Sequence, residues 1–111
     1  MNIEVSHGEI VDKLTILQIK KKNITDVEKL NNITKEYDYL VSIVENDLGI
    51  PLSSPEYLEL LSINEELWVI EDDIRDKERN KEFDDEFVRL ARAVYHTNDI
   101  RANIKKEINV K

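Results

Sequence analysis

The chain has 111 residues, 41% hydrophobic and 36% charged, enough for one core but not for two independent domains. With 2 Gly, 2 Pro and no Cys, a turn-rich β architecture, a glycine-rich phosphate loop, a disulfide framework and a thiolate zinc site are all excluded. A net charge of −8 argues against nucleic acid, which needs a basic face.

The first helix is predicted from about Ser6 to Lys22. Ser6 and Glu9 have capping-box spacing, and Val5 and Ile10 stand where a hydrophobic staple would pack. Ile10, Leu14 and Leu17 form one apolar face, and Ile16 and Ile19 lie almost opposite. Apolar residues on both sides imply a helix that is central or shared with another subunit, so a homodimer through this helix is expected. Asp12 falls between Ile16 and Ile19 and is read as a partly exposed charge paired with a neighbouring Lys or Arg, a ligand-binding role being the alternative. Gly8, in the first turn, suits a close backbone approach.

Thr25 and Glu28 repeat the capping-box spacing and open a second helix. Val27, Leu30, Ile33, Tyr37, Leu40, Val41, Val44 and Leu48 recur along it every three or four residues. Gly49 supplies its C-cap and Pro51 prevents continuation. Ser54 followed by Pro55 marks the start of a third helix reaching about Arg79. Asn80-Lys81-Glu82 is a polar turn, and Asp84 caps a fourth helix, with Phe83 and Val88 spaced as a staple; that helix runs to about Ile108. The fold class is therefore all-α: two antiparallel hairpins, 6–48 and 54–108, joined by a linker over 49–53 in a single helical domain.

On a helical wheel Tyr57, Leu60, Leu61, Leu67, Trp68 and Ile74 define the inner stripe of the third helix, so Trp68 is expected largely buried. Asn64 and Glu71 fall inside the stripe, with Arg75 and Glu78 on the same side. On the fourth helix Phe87, Leu90, Ala91, Val94 and Ala102 form the stripe, and Asn98 and Arg101 lie within it. A hairpin turning near residue 82 sets Asn64 level with Asn98 and Arg101, and Glu71 level with Val94 and Tyr95. A carboxylate facing a helix interface needs a partner, here Arg75 or Tyr95. Two readings are open. The residues form a polar network that fixes the register of the hairpin, or Asn64, Glu71, Asn98 and Arg101 line a cleft.

His7 and His96 are too few for a metal cluster. Glu65, Glu66, Glu71, Asp72 and Asp73 on one helix bring to mind the helical nucleoside triphosphate pyrophosphohydrolases that hold Mg²⁺ with clustered carboxylates. Their E-E-x-x-E pattern lacks its third glutamate here, and only Glu71 is inward. The residues thus favour a non-enzymatic protein without cofactor, the Mg²⁺-dependent enzyme being the alternative. No apolar run spans a bilayer and no secretion signal is readable at Met1-Asn2-Ile3-Glu4; a cytoplasmic protein is expected.

The run from Asn64 through Trp68 and Glu71 to Arg75, with Phe87 to Tyr95, Thr97-Asn98-Asp99, Ile3 to Glu9 and Asp12 to Leu17, is distinctive. On these stretches the chain resembles a family of small all-helical bacterial and phage proteins of unknown function, some encoded near polysaccharide or lipopolysaccharide glycosyltransferases. The resemblance implies an accessory or interaction role linked to surface polysaccharide synthesis. It supplies no mechanism.

Overall fold

A computed structural model describes residues 6–110, which form four helices and, among those residues, no strand. Helix α1 spans His7–Asn23, α2 Val27–Ser42, α3 Pro55–Arg79 and α4 Asp85–Val110. The Val5–Ile10 staple falls partly outside the described residues. The predicted caps account for most boundaries. Ser6 Oγ accepts from the Glu9 amide, Ser54 Oγ from Tyr57, and Asp84 Oδ1 from Phe87 at 3.0 Å. The second helix differs by one residue: Asp26, not Thr25, is its cap, accepting from the Lys29 amide at 3.0 Å. A carboxylate at that place also complements the positive end of the helix, which a threonine hydroxyl does not.

Helix α2 widens into a π-helical turn over Ile43–Asp47 before Gly49 ends it at φ +66°. Nothing lies within 4 Å of a side chain built at Gly49, so the dihedral angle and not space requires the glycine. The α3 terminus is closed in the same left-handed way without one: Lys81 has φ 55°, its amide donates to the Glu78 carbonyl, and Glu82 donates to Lys77. This is a Schellman closure with a lysine at the glycine position.

Helix α1 packs on α2, α3 and α4 and is the central element. Its Val11, Leu14, Leu17 and Ile19 are buried and its Ile10 and Ile16 half-buried, so residues of both apolar faces pack within the chain. The core joins Val11 and Leu14 to Val44, Tyr57, Leu60, Ile104 and Ile108. Gly8 lets α4 approach: an added methyl there would stand 2.6 Å from the Lys105 carbonyl oxygen, and the Gly8 amide donates to Asn109 Oδ1 at 2.7 Å.

Helices α3 and α4 continue as a hairpin past the end of α1. From residue 68 to 96 no residue is buried. Ile70, Ile74, Phe87, Leu90 and Val94 are half-covered between the two helices, whereas Ala91 and Ala102, predicted to face inward, are exposed. Thr97, Ile104 and Ile108 take the inner positions instead. The Phe83–Val88 staple does not close either: both are exposed, and the Phe83 ring meets Phe87 edge-on at 5.3 Å.

Candidate functional site

The first helix brings Asp12 within reach of Asn64 on α3 and Arg101 on α4. Asp12 is 4% exposed, and a bare carboxylate there would cost several kcal/mol. Arg101, Asn64 and Lys105 answer it. Arg101 Nε donates to Oδ1 at 2.9 Å and a second guanidinium nitrogen donates to Oδ2, a forked, charge-assisted pair. Asn64 Nδ2 donates to Asp12 Oδ1 at 2.9 Å and to Thr15 Oγ1 at 2.7 Å. The Thr15 hydroxyl turns back to the Asp12 carbonyl at 2.7 Å. Lys105, 3.9 Å from Oδ2, is bound at 2.6 Å to Glu9.

Burial pushes the Asp12 carboxyl upward, but the hydrogen bonds from Arg101 and Asn64 and the charges of Arg101 and Lys105 outweigh it, so Asp12 stays ionised below the usual carboxylate range. The hydrogen bond to Asp12 in turn raises Arg101 above its ordinary value. Asp12 is thus a buried, fully engaged carboxylate rather than the partly exposed charge its place on the wheel suggested.

Beside this pair lies a cleft of about 260 Å³ lined by Ile16, Ile19, Lys20, Asn64, Leu67, Trp68, Glu71 and Arg101. Asn64 and Arg101 both line it, and among the described residues the Asn64 carbonyl oxygen accepts no hydrogen bond and Arg101 Nη1 donates none. Lys20 has no ion pair among the described residues. Trp68 is half-buried, not enclosed, because it stands between this cleft and a smaller one lined by Lys22, Asn23, Glu65 and Val69. On the wheel it lies about 100° from the buried Leu67, at the edge of the stripe.

Of the residues read as an inward seam, the structure unites Asn64 and Arg101 on Asp12 and leaves Glu71 exposed at the rim of the cleft. Asn98 is exposed and outside the network. Arg75 is exposed and pairs with Asp72 at 3.0 Å, not with Glu71, and Tyr95 is 78% exposed. Thr15 escapes the wheel reading although it stands three residues from Asp12, the spacing at which its hydroxyl reaches the Asp12 carbonyl. The carboxylates of α3 do not converge: Glu65, Glu66, Glu71, Asp72 and Asp73 are all exposed, and no three metal-binding side chains come together among the described residues. None of the described helices is long and apolar enough to cross a membrane.

Comparison with the curated proteins and with the solved structures gives no match. A family model does match, over residues 1–111, and the chain therefore belongs to the family of unknown function DUF6165.

Proposed function

We propose that the protein is a non-enzymatic accessory module that holds a small hydroxylated acid, of the kind that acidic surface saccharides present, in the cleft beside Asp12 and Arg101. One observation carries the reading: Asn64 and Arg101 line a cleft walled by Trp68, and among the described residues the Asn64 carbonyl oxygen and the Arg101 nitrogen not bound to Asp12 have no hydrogen-bond partner. Arg101 and Lys20 suit a carboxylate, Asn64 and Glu71 suit hydroxyl donors, and the indole face suits the apolar side of a ring. A binding role fits better than catalysis because Asp12 is held ionised and saturated by its partners, and so is a poor proton donor or acceptor near neutrality. The link to surface polysaccharide rests on the resemblance and on this ligand chemistry together.

The test follows the emission of Trp68, the chain's one tryptophan, during titration with glucuronate, galacturonate and neutral glucose. A saturable change with the acids, weakened by Lys20→Ala and smaller for glucose, supports the proposal. No change with any of the three at millimolar concentration, in protein shown to be folded, overturns it.

A further inference from the structure

Helix α4 carries a second seam that none of the described residues covers. Val88, Ala91, Tyr95, Asn98 and Ala102 recur at alternating steps of three and four residues, and all five are exposed, Val88 by 49% and Tyr95 by 78%. This is the spacing with which one helix meets another along a coiled-coil seam, and a single asparagine among apolar positions is the usual device for fixing register there. One flank of the seam is charged. Asp85, Arg92, Asp99 and Lys106 stand seven residues apart with alternating sign, all exposed or half-exposed, and none has an ion pair or side-chain hydrogen bond among the described residues.

We infer that this face binds α4 of a second copy of the chain, antiparallel, about a twofold axis between Tyr95 and Asn98. That register sets Ala91 opposite Ala102 and Tyr95 opposite Asn98. It also sets Arg92 of each copy beside Asp99 of the other, and Asp85 beside Lys106, so all eight flanking charges meet an opposite sign. Sliding the pairing by one heptad brings Arg92 beside Arg92 and Asp85 beside Asp99, and like charges disfavour it. The seam is about 20 Å long by the helical rise. One helix pair of that length lies at the low end of specific interfaces, so the dimer is weak and depends on concentration. The contact is distinct from a pairing through α1 and does not depend on a ligand in the cleft.

The charge pattern makes the inference testable by exchange. Arg92→Asp and Asp99→Arg each place like charges at two contacts, at exposed positions where the fold is indifferent; circular dichroism checks that. Sedimentation equilibrium over a concentration series is expected to take the parent from 13.1 kDa toward twice that mass. Each variant alone is expected to dimerise at least about tenfold more weakly. An equimolar mixture of the two is expected to dimerise again, because one variant then presents only acidic groups at both contacts and the other only basic ones. A parent that stays monomeric at every concentration overturns the inference, as does a mixture no tighter than its components.

Discussion

Arg101 grips both oxygens of Asp12 across 89 positions of sequence, and this fork joins the first helix to the last. Breaking a buried pair by removing one partner strands the other, which typically costs about 3–5 kcal/mol. Asp12→Ala should therefore lower the melting temperature sharply, while Asp12→Leu combined with Arg101→Met should recover part of the loss. Equal melting temperatures for Asp12→Ala and the parent would show that the pair is not buried in solution.

The same carboxylate sets an acid limit. Its folded pKa lies below the ordinary carboxylate value of 3.8, so the unfolded chain binds a proton first as pH falls. The stabilisation is complete above pH 3.8 and is lost as pH falls through that value toward the folded pKa. Urea midpoints measured from pH 6 downward should fall more steeply for the parent than for the Asp12→Leu, Arg101→Met pair. Parallel curves would contradict the assignment.

Asn64 donates to both Asp12 and Thr15. Asn64→Leu removes both bonds and should cost about 1–3 kcal/mol. Glu71→Gln, at an exposed position, should change stability by less than about 0.5 kcal/mol. Denaturant unfolding of the two variants beside the parent checks the contrast, and a large loss for Glu71→Gln would return it to the inner network.

Two backbone positions give opposite signs. Gly8→Ala pushes a methyl into the Lys105 carbonyl, and overpacking of this kind costs about 1–3 kcal/mol. Lys81→Gly relieves a side chain held at φ 55°, and is expected to gain about 0.5–1 kcal/mol. Thermal melts of both variants test the pair of signs.

The helix ends are legible in the sequence because capping is local: Ser6, Gly49, Ser54 and Asp84 each carry their signal within a few residues. The exception, Asp26 for Thr25, is a competition between adjacent caps. Asn64 and Arg101 are legible as inward residues because a wheel reports facing. A wheel does not report which helix lies opposite or where that helix stops. Asp12 stands out on it, but its partners on α3 and α4 do not, since they depend on how α1 crosses them. Glu71 shares a face with Asn64, yet it lies two turns further along α3, and there it sits at the rim. Asn98 lies about 60° round the helix from Arg101, far enough to leave the network.

The part of the α3–α4 hairpin without a buried residue, from 68 to 96, divides that hairpin in time as well as in space. Its helical amides are held by two helices only, those at the base by the core that all four helices share and by the Asp12 network. Hydrogen exchange near the turn should proceed by local fraying, while amides around Leu14, Leu60 and Ile104 should wait for the whole chain to unfold. A protease that cuts only opened chain would then make its first cut in the overhanging hairpin and leave the base folded for longer.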